Sequence, residues 1–203
     1  MLLDVLGLLS ACSYALDCVE AELVHVSDKH AKRVAYMSVC MAEQLGISGE
    51  SLQDLAACAL LHDNALTQYI QEELHKDVAN APQASQVGIH CTLGEKNIQR
   101  LPFHTDVKNV ILYHHENYDG TGYPANLAGE KIPFGARILR ICDVYCALTS
   151  DRPYRSAFPR EQAMELMTEE VKNFDLKMFL AFQRVIHSGS RKAIELSDVD
   201  ELI

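Results

Sequence analysis

The chain has 203 residues, enough for one well-cored domain or two small ones. Hydrophobic residues make up 48% and charged residues 23%, the balance of an ordinary soluble globular protein. Eighteen Lys+Arg stand against 28 Asp+Glu, a formal net charge of -10, which argues against a polynucleotide partner but leaves room for a small charged nucleotide in a local pocket.

Helical periodicity dominates the chain, and no strand alternation of useful length occurs. The first helix is predicted over about 2–24, with Leu2, Leu6, Leu9, Ser13 and Leu16 at alternating steps of four and three. LLSAC at 8–12 resembles a lipoprotein cleavage box, but the first basic residue is Lys29 and Asp4 interrupts the apolar run, so no secretory signal is read there. Ser27 can cap a second helix that ends near Gly46. A third runs from about Glu50 into His62-Asp63, and 75–84 reads as a loop. A fourth starts near Ser85 and stops before Pro102; Thr105 can cap a fifth that reaches His115. The Gly/Pro-rich stretch 116–133 is the least helical part. Pro133 opens a long helix through Ala147, Pro159 suits the first turn of the next, and FDLKMFLAFQRVI makes the last. An acidic tail follows from Ser188. The expectation is one all-α domain over 1–203, with an N-terminal helix to 24, a core over 25–187 and a tail. No apolar run is of membrane-spanning length. Seven cysteines, odd in number and without a CxxC, read as reduced, buried thiols of a cytosolic protein.

The histidines carry the chemistry. His30 is in register with Val34, Met37 and Met41; His62 follows Leu55 and Ala59; Asp63 follows Ala56 and Ala59. His114 lies seven after Val107, His115 four after Ile111, and Asp143 four after Leu139. Each shares a helix face with apolar residues and points to the core. A single inward histidine is most often a satisfied core residue. Several helices each sending His or Asp inward is a different case, because buried imidazoles and carboxylates are costly unless paired or metal-bound. One shared metal centre satisfies them together, and the donor set suits iron, manganese, zinc or nickel.

HHENYDGTGYP at 114–124 resembles the HHExxDGxGYP signature of HD-GYP domains, the cyclic-di-GMP phosphodiesterases of the HD phosphohydrolase superfamily. NLAGEKIPFGARILRICDVYCALTSDRPYR at 126–155, HCTLGEKNI at 90–98 and FDLKMFLAF at 174–182 continue the likeness, which spans about 14–187. The resemblance implies an HD helical bundle with a C-terminal extension and an extended GYP loop. It implies a binuclear metal centre on His30, His62, Asp63, His90, His114, His115 and Asp143. Asp63 would bridge the metals, His30, His62 and Asp143 would complete one site, and His90, His114 and His115 the other. Gly94, four after His90, leaves that face uncrowded. The implied cofactors are two divalent ions, Fe or Mn first, Zn or Ni as alternatives. His62 and Asp63 take the catalytic role, and cyclic-di-GMP would be cut to pGpG or GMP. Tyr123, Arg152 and Arg155 would bind substrate; the competing reading gives Tyr123 a packing role and pairs the arginines with acids such as Asp151. Diguanylate cyclase (GGDEF) domains docking on the GYP loop, a homodimer and a cytoplasmic location are further implications.

The chain departs from the family in four places. HDNAL replaces HDxGK, so Leu66 stands where a lysine contacts the scissile phosphate. Val26 replaces a glutamate that binds a third metal in some members, Cys146 an aspartate, and Asn117 a frequent arginine. Cys146 is expected to be a buried neutral thiol. The missing lysine predicts a slow enzyme and keeps open a catalytically silent domain that binds nucleotide or a signalling partner. Hydrolysis of another cyclic dinucleotide or phosphoester is the third reading.

Overall fold

A computed structural model describes residues 4–24, 29–68 and 88–188, apart from the side chains of 20, 23 and 24. The helices are α1 (Val5–Val24), α2 (His30–Gln44), α3 (Glu50–Leu60), α4 (Ile89–Ile98), α5 (Phe134–Leu148), α6 (Arg160–Glu169) and α7 (Leu176–Ser188). Among the described residues the β pairing consists of two isolated bridges, Asp119 with Ala128 and Arg152 with Arg155. The expected all-α class holds. The Ser27 cap, the 75–84 loop, the start at Ser85, Val26 and the acidic tail beyond Ser188 lie outside the described residues.

α2 is the central post and packs against α3, α5, α1 and α7. Its stripe of Val34, Met37 and Met41 is buried against Leu55 and Ala59 of α3, Leu139 and Cys142 of α5, and Phe179 and Phe182 of α7. His30 continues that stripe at one end. At the other end Gly46, at φ +82, stops the helix. Ile47 N–H bonds back to the Ala42 carbonyl at 3.0 Å and Gly46 N–H to that of Glu43 at 2.9 Å, closing the two orphan carbonyls with a left-handed residue. α1 begins at Val5, where the Asp4 carboxylate accepts the Gly7 N–H at 2.9 Å. Pro133 and Pro159 each stand one residue ahead of their helix, their carbonyls accepting Arg137 and Ala163 N–H.

Two expectations change. Cys12 and Cys18 are exposed on α1, across from its inward face; Cys58, Cys91, Cys142 and Cys146 are buried, and none of the seven is in a disulfide. The helix expected from Thr105 to His115 is a series of turns. Thr105 does not cap it: its N–H and hydroxyl both bond to Asp54 Oδ2, at 2.6 and 2.7 Å. Asn109 sits at φ +64, which interrupts the helix, and the Glu95 carboxylate takes the freed N–H groups of Asn109 at 2.6 Å and Leu112 at 3.2 Å. A tertiary carboxylate has replaced the helical acceptors.

Hydrogen bonds to a charged group are worth about 1.5–3 kcal/mol each. Glu95→Ala should therefore destabilise the protein by about 3 kcal/mol, read from the denaturant midpoint, with Glu95→Gln losing less.

Candidate metal centre

The seven ligand-type residues come from five places in the chain. His30 is the first residue of α2, His90 the second of α4, and Asp143 lies mid-way along α5. His62 and Asp63 occupy the turn that continues α3, and His114-His115 close the turns after Asn109. All converge. Asp63 Oδ2 is 3.3 Å from His62 Nε2, and Asp63 Oδ1 is 3.5 Å from both His90 Nε2 and His114 Nε2. Asp143 Oδ1 is 3.1 Å from His30 Nε2, and Oδ2 is 3.8 Å from His115 Nδ1. The donors form two groups, His30, His62 and Asp143 in one, and His90, His114 and His115 with Cys91 in the other. Asp63 reaches into both.

Local bonds aim the rings. His62 Nδ1 meets the Ala59 carbonyl at 2.8 Å and His114 Nδ1 meets that of Ile111 at 2.6 Å. A carbonyl accepts only, so each Nδ1 carries the hydrogen and each Nε2 faces the centre as a ligand atom. His62 Nε2, His114 Nε2 and Asp63 Oδ1 are buried and lack a hydrogen-bond partner. Orphan polar atoms at such depth are costly, and a pair of divalent cations, one beside His62 and one beside His114 with Asp63 reaching both, would satisfy all three. The residues therefore fit a metal pair.

The electrostatics match. Burial opposes the charge on Asp63, yet His62 and His114 hold its carboxyl well below the usual range. Asp143 is likewise held down against burial, by the His30 hydrogen bond and charge. For His62, burial favours the neutral ring, but Asp63 and Asp143 outweigh it and push the imidazole up to about 10. Burial and the neighbouring His114 keep His115 neutral. Too many imidazoles share this space for all to be protonated.

The turn after Asp63 is tied to α4. Asn64 Nδ2 donates to the carbonyls of Leu61 at 2.7 Å and Gly94 at 3.2 Å, and Asn97 Nδ2 donates to Asn64 Oδ1 at 2.8 Å. At Gly94 a Cβ would stand 3.1 Å from Ile111 Cγ2 and 3.2 Å from Asn64 Nδ2, so glycine is what lets this approach happen. Leu66 is half-buried behind the fully buried Ala65 and brings no charge.

The 116–133 loop is built on Glu116, which is buried and accepts the N–H groups of Ala125 at 2.6 Å and Leu127 at 3.0 Å. Gly122 leaves no room for a side chain: a Cβ would lie 2.2 Å from the Asn117 nitrogen. Tyr123, followed by a cis bond to Pro124, places its ring 4.9 Å from that of His115. Asn117 accepts from Arg140 Nε at 3.0 Å, so the position of the family arginine is paired with an arginine from α5.

Arg155, expected to hold a substrate phosphate or to pair with an acid such as Asp151, meets backbone carbonyls. Its guanidinium donates to the carbonyls of Ala147 at 2.7 Å, Leu148 at 3.0 Å, Ser150 at 3.3 Å and Ser156 at 3.1 Å, capping the C-terminus of α5, and it stacks on Phe158. The half-buried Arg152 pairs with it through backbone only. Burial pushes the Cys146 thiol up to about 12, the neutral state expected.

Two residues at the site carried no clear sequence signal. Cys91 is fully buried among the second histidine group. Asp17 is buried on α1, accepts the Ala31 N–H at 3.2 Å beside His30, and is raised to about 6 by burial against the pull of His30. Ser10, Ser13 and Asp17, buried at helical spacing, were the one trace of that face in the sequence.

Comparison with known proteins follows the geometry. The HD domain family matches residues 17–178. A cyclic di-GMP phosphodiesterase of Pseudomonas aeruginosa is 32% identical over 164 residues, covering 77% of this chain and 38% of the relative. A 3'3'-cGAMP-specific phosphodiesterase of Vibrio cholerae is 32% identical over 161 residues, 78% of this chain and 35% of the relative. The chain thus spans little more than a third of the curated relatives it matches. The crystal structure of a cyclic GMP-AMP specific phosphodiesterase from V. cholerae superposes with a TM-score of 0.69 at 18% identity, over 97% of this chain and 52% of that one, which fixes the fold.

A metal must displace the proton that His62 holds up to about 10, so binding and proton release are coupled. Zn(II) uptake at pH 7.5 should release protons, and apparent affinity should rise with pH. Titration calorimetry in buffers of different ionisation enthalpy checks both.

Proposed function

The chain belongs to the HD domain family, and from that premise we propose that it is a metal-dependent phosphodiesterase that opens cyclic-di-GMP to pGpG, with GMP as a further product. The observation that carries this is the convergence of His30, His62, Asp63, His90, His114, His115 and Asp143, with ring nitrogens and a carboxylate oxygen left unpartnered. HD phosphohydrolases depend on metals; two divalent ions, Fe or Mn first, would be held by His30, His62 and Asp143 on one side and by His90, His114 and His115 on the other, with Asp63 between. When bound, such a pair supplies an activated water and neutralises charge developing on the phosphodiester.

The chain's own residues do the rest. Asp63 stays ionised through its histidine neighbours and so keeps its bridging charge across the physiological range. The Ala59 and Ile111 carbonyls hold His62 and His114 in one tautomer, so no reorganisation is needed when substrate arrives. Tyr123 forms a wall beside His115 on which a guanine can rest. Burial pushes its phenol up, so it stays neutral and keeps a hydroxyl proton to offer a substrate. Of the two arginines assigned to substrate, Arg152 is the better fit, because Arg155 is occupied with carbonyls. The loop tip, exposed at Asp119, Thr121 and 124–126, is the surface this reading assigns to a diguanylate cyclase (GGDEF) domain. A homodimer, a single HD-GYP domain over 1–203 with its core at 25–187, and a cytoplasmic location complete it; among the described residues no helix is long and apolar enough to cross a membrane.

The test is the purified protein loaded with Fe(II) or Mn(II) and offered cyclic-di-GMP and 3'3'-cGAMP. Nucleotide turnover should be abolished in His62→Ala and Asp63→Ala; product no greater than in those controls rejects hydrolysis.

Leu66 supports a second reading, a metal-stabilised domain that binds the nucleotide without cutting it. An electrostatic stabiliser is worth about 10²–10³-fold in rate. Under the hydrolase reading Leu66→Lys should raise kcat by about tenfold or more, measured on the same substrates. Tight binding with intact nucleotide recovered from both proteins favours the silent reading.

A further inference from the structure

Cys91 belongs to the second group of donors. Its sulfur and the ligand nitrogens of His90, His114 and His115 all lie within 4.8 Å of one another. Cys91 Sγ is 3.4 Å from His90 Nε2. With metal–sulfur near 2.3 Å and metal–nitrogen near 2.1 Å, a tetrahedral site has a sulfur–nitrogen edge of about 3.6 Å. The observed separation is therefore already that of two ligands on one ion. The other donor spacings in the group are no longer than 4.8 Å.

A second, independent observation points the same way. His114 Nε2 is buried, faces this group and has no hydrogen-bond partner. Cys91 itself is fully buried with no disulfide. It follows His90 directly on α4, and although neighbouring side chains leave a helix about 100° apart, its sulfur turns back to lie 3.4 Å from His90 Nε2.

We propose that Cys91 is a thiolate ligand of the second metal, adding one sulfur to the three imidazoles and the shared Asp63 oxygen of that site. The assignment rests on the two-metal reading and adds to it. On binding, the thiol proton leaves to solvent and a sulfur lone pair forms the metal bond, with no change in oxidation state. The consequence is two unlike sites. The His30, His62 and Asp143 side presents nitrogen and oxygen; the Cys91 side is softer and prefers Zn or Fe over Mn. One hard and one soft site in a single cluster predicts selective loading rather than two copies of one ion.

Cobalt(II) reports the ligands directly. Wild type, Cys91→Ser and Cys146→Ser are loaded with Co(II) and their cobalt content is measured. Wild type and Cys146→Ser should show visible d–d bands together with a near-ultraviolet thiolate-to-cobalt charge-transfer band, and Cys91→Ser should keep d–d bands while losing the charge-transfer band. Bound cobalt with d–d bands and no charge-transfer band in wild type overturns the Cys91 ligand and leaves the two-metal reading standing. No bound cobalt overturns both. A charge-transfer band that survives Cys91→Ser puts the sulfur elsewhere and overturns the assignment. X-ray absorption on zinc-loaded wild type needs no variant: a sulfur shell at about 2.3 Å, averaging about half a sulfur per zinc, supports the proposal, and nitrogen and oxygen shells alone overturn it.

Discussion

A carboxylate buried among imidazoles is the constraint on which this structure depends. Asp63 has three histidine nitrogens within 3.5 Å, and two of the rings, His62 and His114, are fully buried. In a low-dielectric interior such a cluster is stable only if charge and hydrogen bonds balance, and here they balance by division. Asp63 and Asp143 are held ionised and His115 neutral, while the two carboxylates pull His62 toward its protonated form, the charge a metal would take over. What remains unmatched is a small set of lone pairs aimed at common points. That residue of unsatisfied polarity is what a pair of cations would complete.

The scaffold that keeps those lone pairs in place is itself built from buried carboxylates. Asp54 takes the N–H groups of His104 and Thr105, Glu95 those of Asn109 and Leu112, and Glu116 those of Ala125 and Leu127. Each pins irregular backbone that no helix could satisfy. The two segments that carry His114-His115 and the Tyr123 loop are irregular, and their free N–H groups are taken up by these carboxylates. Asp17 repeats the device at α1, binding the start of α2 next to His30.

Much of the site was legible because it obeys helical arithmetic. The register of His30 with Val34, Met37 and Met41, and of Asp143 with Leu139, placed both side chains inward, and both are inward. The turn chemistry of Gly46 and of the prolines before α5 and α6 was equally local, and it holds with a shift of one residue at each proline. The segment before His114 was misread as helix because its apolar spacing is helical, while the acceptor that unwinds it, Glu95, lies 14 residues away. The surroundings of Arg155 were not legible in the sequence for a similar reason: a guanidinium suits a phosphate and a row of helix-end carbonyls alike, and only the close of α5 shows the carbonyls it meets.

The sequence by itself determined the helical class and the inward faces of His30 and Asp143, because periodicity acts within one turn of chain, while the full set of seven ligand-type residues came from the family resemblance. It also exposed the missing cation at Leu66. Tertiary structure alone decided that Cys91 lies among the histidine nitrogens, that Asp17 stands beside His30, and that Asn109 breaks a helix. Those outcomes depend on which elements meet across the core, where one buried carboxylate or carbonyl can outbid local preference.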